Sequence, residues 1–192
     1  QEKHGEIIYA QNNSWSKIAS SLPYLNQEER DRITLTWGKG MSNIERMRLQ
    51  FNDSISYYTY VLADKSEEYT YSYKKSEYQI YRNYMQQTSF DRIGLFGKTY
   101  IIKEEIPKLK WKILGEIKEV SGYVCMKAET KDTIKNQKIT AWFTDKILVP
   151  IGPGEFGGLP GLILEIDIND GASSIVAETI KLDAPQKISL PK

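Results

Sequence analysis

The sequence predicts a mainly β domain with minor α content. The expected form is a single curled antiparallel sheet or half-barrel of about eight or more strands, with one or two short helices near the N-terminus. Three observations predict it. Apolar and polar residues alternate with period two along most of the chain after Glu45, the pattern of sheets with one wet face. The runs are joined by short links, several of them rich in Asn, Asp and Gly, with little room for helical crossovers. Aromatic residues make up 11% of the 192, with 13 Tyr among them, and aromatics favour strands.

The elements follow in order. Glu6–Ala10 reads as a first strand. Trp15–Ser21 and Gln27–Trp37 read as short helices. Asn26 and Glu29 have the spacing of a capping box, the first turn is acidic, and Gly38 and Gly40 supply a stop. Arg32–Trp37 also alternates, so a strand there is the competing reading. Met47, Leu49 and Phe51 then alternate with Arg46, Arg48 and Gln50. Asn52-Asp53 provides a turn and Ser54–Leu62 a return strand. The tract Lys65–Gln87 is rich in Tyr among charges but has no clean period, so its form stays open.

Strands resume at Thr99–Glu105, with Tyr100 and Ile102 on one face, and at Lys110–Leu114, with Trp111 and Ile113 expected inward. Ile117–Val120, Tyr123–Thr130 and Gln137–Thr144 follow. Leu162–Ile168 and Ser174–Leu182 are joined by the turn Asn169-Asp170-Gly171. No linker or repeat divides the chain, so residues 1–192 are read as one domain, with 15–38 a helical insertion within it.

Composition limits the chemistry. Lys plus Arg is 26 and Asp plus Glu is 25, a net charge of +1, which argues against broad capture of nucleic acid. No apolar run is long enough to span a bilayer. One Cys (Cys125) and one His (His4) allow neither an intrachain disulfide nor a Cys/His zinc site, so no metal and no cofactor is expected. The chain begins at Gln1, which reads as an exported protein whose signal peptide has been removed; a trimmed chain is the alternative.

The segment 151–163 stands apart. Five Gly and two Pro fall within the ten residues 152–161, so the loop has a defined shape set by Gly-only and Pro-fixed backbone angles. Phe156 and Leu159 are apolar inside it, either tucked under the loop or projecting as a docking surface. Glu155 stands alone among them, as a cap for loop amides or a contact. Gly152, Gly154 and Gly157 match G-x-G-x-x-G, but an alternating strand follows where dinucleotide binding requires a helix.

Gly158-Leu159-Pro160-Gly161-Leu162-Ile163 resembles the signature of the GLPGLI family of the Bacteroidota. Lys110–Ile113, Gly122–Ala128, Ala141–Thr144, Gly152-Pro153 and Phe156 are similar to it in the same order, as are Gly5–Tyr9 and the hairpin at Leu49–Ser54. The resemblance implies location above all: exported proteins of the periplasm or outer membrane, often encoded beside TonB-dependent transporter-like genes. It brings no catalytic activity and no assigned residues. Gly152, Pro153, Gly157, Gly158, Pro160 and Gly161 form the structural signature. Asp53-Ser54-Ile55 and Asp132-Thr133-Ile134 resemble the O-glycosylation sites of Bacteroidota envelopes, at Ser54 and Thr133.

Catalytic constellations are weak. Cys125 lies mid-strand and His4 near a terminus, so they make a poor nucleophile and base. Glu104 and Glu105 are adjacent on a strand and point to opposite faces; Glu165 and Asp167 share a face that reads as solvated. The sequence thus supports a non-enzymatic accessory protein of the periplasm or outer membrane. It would bind a partner, a TonB-dependent transporter-like complex, with Phe156, Leu159, Glu155 and Trp142 at the contact. A carrier holding a lipid or other hydrophobic ligand in the half-barrel is the second reading, by fold-level analogy. An envelope enzyme of unknown type is the third.

Overall fold

In the computed structural model, which describes residues 4–37, 44–61, 77–95, 97–183 and 188, eleven strands form one antiparallel sheet that does not close. In chain order, β1 (Gly5–Asn13) precedes the helices α1 (Trp15–Ser21) and α2 (Gln27–Trp37). Then come β2 (Glu45–Phe51), β3 (Ile55–Tyr60), β4 (Tyr78–Asn83), β5 (Thr88–Leu95) and β6 (Lys98–Glu105). The second half holds β7 (Lys112–Val120), β8 (Tyr123–Asp132), β9 (Gln137–Thr144), β10 (Leu162–Ile168) and β11 (Ser173–Leu182). Spatially the order is β6-β5-β4-β3-β2-β1-β11-β10-β9-β8-β7. Two meanders, one from each half of the chain, therefore meet where β1 pairs with β11, and each ends in an outermost strand, β6 and β7, with no further partner strand among the described residues.

Local chemistry explains the joints. Asn52 Oδ1 accepts the backbone N–H groups of Ser54 and Ile55, both at 2.9 Å, and so closes the β2–β3 turn. Asn169, Asp170 and Gly171 all take positive φ between β10 and β11. At α2 the capping box is reciprocal: Asn26 N–H donates to Glu29 Oε2 and Glu29 N–H to Asn26 Oδ1, each at 2.9 Å. The alternating run Arg32–Trp37 is helical. The stop expected at Gly38 and Gly40, and Tyr69, Tyr71 and Tyr73 of the Tyr-rich tract, lie outside the described residues. No helix among the described residues is long and apolar enough to cross a membrane.

One face of the sheet carries the core. Ile7, Tyr9, Met47, Leu49, Phe51, Tyr58 and Ile80 from one meander join Phe143, Ile163, Leu164 and Ile166 from the other. Between β9 and β10 the chain crosses this face as the long loop 145–161. Gly152 packs on Ile163 of β10, while Gly154 lies beside Tyr58 of β3 and Tyr78 of β4. One loop can touch both meanders only if the sheet curls around it. Tyr9 closes the same space, donating its hydroxyl to the Ile163 carbonyl at 2.6 Å. The helices add little to this core; α1 is tied instead to the β10–β11 turn by Ser14 N–H to Ala172 O (2.8 Å) and Lys17 Nζ to Asp170 O (2.9 Å).

Three details of the strand pattern differ from expectation. The segments Lys110–Leu114 and Ile117–Val120 belong to one strand, β7, whose pairing with β8 shifts register between Ile113 and Ile117. Ile113, expected inward, is 50% exposed, because β7 is an edge strand with little laid over it. Residues 88–95, not anticipated as a strand, form β5. Its central Asp91 is buried, and a charge on the inner face hides the usual alternation.

Candidate functional site

The glycine-rich loop is built from backbone contacts. Ile151 bridges to Gly157, Gly158 N–H donates to the Pro150 carbonyl at 3.1 Å, and Phe156 N–H to the Pro153 carbonyl at 3.1 Å. Its ends are fixed by Ile163 N–H to Ile151 O and Leu162 N–H to Ile147 O, both 3.0 Å. Trp111 Nε1 donates to the Gly157 carbonyl at 2.9 Å from the segment that joins the two outermost strands. Two of the loop's glycines resist a side chain for different reasons. A methyl group on Gly161 would overlap the Thr144 carbonyl, and Gly158 sits at φ +88°, a left-handed angle that L side chains resist.

The loop's apolar side chains point inward, which corrects one expectation. Phe156 is 7% and Leu159 1% exposed, and both belong to the core with Ile147, Val149 and Ile151. They cannot serve as projecting anchors. The physical reason is the curl of the sheet: the loop lies inside it, so its greasy residues fill the concave face. That face is therefore occupied by the chain itself.

Of the other singled-out residues, Glu155 is exposed at the loop tip and pairs with Lys135 of the β8–β9 turn at 2.8 Å. Trp142 is half-buried, with Lys118 Nζ 4.4 Å and Lys127 Nζ 6.0 Å from its ring centroid. Lys118 also pairs with Glu165 at 2.7 Å. Gly152 and Pro153 are buried and Pro160 is exposed. Ser54, half-buried in the β2–β3 turn, places its hydroxyl 3.2 Å from Met85 Sδ; Thr133 is exposed in the β8–β9 turn. Cys125 is fully buried, and burial pushes its thiol up to about 11, with Glu165 reinforcing the shift, so it is an inert core residue.

What the loop does create is a cleft. Pro150, Glu155, Gly157 and Gly158 form one wall and the segment 106–109, with Pro107, Lys108 and Leu109, the other; the space between is about 220 Å³. Arg82 and Tyr84 line it from β4 and the turn after it. Arg82 is buried and bidentate to Asp91 of β5, with a further bond of 3.0 Å to the Tyr81 carbonyl. Its charge is neutralised and its geometry fixed. Burial raises the Tyr84 phenol, offset by its hydrogen bond to Ser56 (3.0 Å) and by the Arg82 charge. The cleft thus offers rigid, mostly apolar walls, a neutralised base and a carboxylate at the rim. Sequence reasoning missed it because it depends on Arg82 and on 106–109, both remote from the loop in the chain. The Arg82–Asp91 pairing, nine residues apart across a hairpin, was the available signal.

A larger depression of about 430 Å³ lies on the opposite face of β4–β6, lined by Tyr81, Phe90, Lys103 and Glu105. Its rings are engaged with one another: Tyr57 stacks on Tyr81 at 4.4 Å, Tyr81 meets Phe90 edge-on at 6.2 Å, and Lys103 covers Phe90 at 5.3 Å. Among the described residues no His, Cys, Asp and Glu side chains gather as a metal-binding group of three.

Comparison with known proteins adds a family match and a fold. A family model described as a protein of unknown function (Porph_ging) matches residues 129–165, which include the signature hexapeptide. No curated protein matches the chain. Two solved structures of PNGF-II, in the P21 and C2 space groups, share the architecture, each with a TM-score of 0.63 and 16% identity. The likeness covers 96% of this chain but only 29% and 28% of those chains, so this chain spans less than a third of the solved proteins it resembles. It is a likeness of fold alone.

Proposed function

We propose that this chain is a non-enzymatic, exported accessory protein of the GLPGLI kind that binds a partner protein at the signature loop. The proposed partner class is a TonB-dependent transporter-like outer-membrane complex. The hexapeptide and the accompanying segments support the family reading, and the match over 129–165 overlaps its most specific part. The contact itself is a receiving cleft: a side chain of the partner enters the 220 Å³ space between 150–158 and 106–109. The observation that carries this reading is the backbone bracing of that wall, since a preformed pocket loses little entropy on binding and suits a buried anchor. The neutralised Arg82 favours an uncharged anchor.

Lys108 is exposed on the outer wall, so Lys108→Trp fills the cleft without entering the core. The expected result is a loss of partner affinity of about thirtyfold or more, the scale of a blocked hot-spot pocket. Undiminished affinity in a folded Lys108→Trp protein would exclude the cleft. Ser54 and Thr133 are the proposed sites of glycan attachment; an unshifted intact mass after native expression would reject both.

A further inference from the structure

The two outermost strands, each unpaired on one side among the described residues, are unlike. β7 is interrupted by a register shift between Ile113 and Ile117, a device that blunts edges. β6 has none. All eight of its residues pair in unbroken register with β5, from Lys98 opposite Leu95 to Glu105 opposite Thr88. Every one is exposed, and three consecutive apolar side chains, Tyr100 (47%), Ile101 (60%) and Ile102 (41%), stand on both faces. A regular apolar edge with no partner strand among the described residues is a template for another strand.

We infer that the strand which pairs with β6 is β6 of a second copy of this chain. A two-fold axis between antiparallel strands lies perpendicular to the sheet, so opposed residues must share a face and hence sequence parity. With the axis at Ile101, Ile101 opposes itself, Tyr100 opposes Ile102, Thr99 opposes Lys103 and Lys98 opposes Glu104, each mixed pair occurring twice. A shift by one residue toward the C-terminus sets Ile101 against Lys103 and Tyr100 against Glu104; a shift the other way sets Lys98 against Ile102. Only the first register joins apolar to apolar and cation to anion. Neither Lys98 nor Glu104 has an ion-pair partner among the described residues, so both are available. The inference does not rest on the cleft, whose wall begins at Ile106, beyond the paired run Lys98–Glu104.

Sedimentation equilibrium of the full chain tests it. The contact is small, so a dimer with a dissociation constant on the order of 10–100 μM is expected. Lys98→Glu and Glu104→Lys each put like charges opposite one another twice and weaken the dimer about tenfold. The double reversal Lys98→Glu/Glu104→Lys restores it. Ile101→Lys abolishes it while leaving the thermal transition of the monomer in place, since Ile101 is exposed. A chain that stays monomeric at about 1 mM, far above that range, would overturn the inference. So would a dimer indifferent to Ile101→Lys, or single reversals not rescued by the double.

Discussion

The Tyr9 hydroxyl on β1 donates to the Ile163 carbonyl at 2.6 Å, joining the first strand to the last residue of the signature hexapeptide across 154 positions of sequence. The bond is buried, and it ties the loop's C-terminal end to the sheet that wraps it. Tyr9→Phe removes the donor and leaves a buried carbonyl unsatisfied, at a cost of about 1–3 kcal/mol. Urea unfolding should show that loss in the midpoint with little change in slope.

Alanine at Gly161 and at Gly158 should be costly for different reasons. Gly161→Ala drives a methyl into the Thr144 carbonyl and should cost about 3 kcal/mol, the upper end for forced overpacking. Gly158 has open space around it, so Gly158→Ala pays only the left-handed backbone penalty of about 1–2 kcal/mol. Thermal unfolding of the two variants distinguishes steric from conformational cause.

How much of this was legible in the sequence varies by element. The β2–β3 and β10–β11 joints were, because Asn52 and the run Asn169–Gly171 carry turn chemistry that acts locally. The alternation of Ile139, Ala141 and Phe143 placed β9 correctly, since all three are buried. β5 was hidden by Asp91, a charge made tolerable on the inner face only by Arg82 on the neighbouring strand. The shape of the loop was readable from its Gly and Pro content, but its direction was not. Whether Phe156 and Leu159 turn in or out depends on whether the sheet curls around them, a property of all eleven strands.

Asp91 also makes a prediction. Asp91→Ala strands the Arg82 guanidinium at 4% exposure without its counter-charge, and breaking such a pair costs about 3–5 kcal/mol. The damage should extend to the cleft, because Arg82 lines it. Replacing both residues by apolar ones of similar size should recover much of the stability, measured by denaturant midpoint.

Alkali should unfold the protein through its tyrosines. Burial pushes Tyr78 up to about 12, with Glu155 and Asp91 adding to it. Burial raises Tyr81 to about 12 as well, with Tyr57 contributing, and lifts Tyr9 and Tyr58 well above the ordinary phenol value. Each is an acid whose folded value exceeds its unfolded value, so the unfolded chain loses its protons first. The stabilisation is complete below about pH 10 and drains away as pH climbs through about 12. Tyrosinate absorbance should lag behind that of free tyrosine until the thermal transition collapses in the same window. Tyr78→Phe should make the fall shallower.

In the proposed contact, a braced loop receives a partner's side chain in the cleft it forms with 106–109. The most direct measurement places a photo-crosslinking side chain at Lys108 and, separately, at Tyr24, exposed beside the helices, in the native envelope. A single outer-membrane protein crosslinked from Lys108 and not from Tyr24, and displaced when the cleft is filled, is the predicted result. No adduct from Lys108, or the same adducts from both positions, would contradict it.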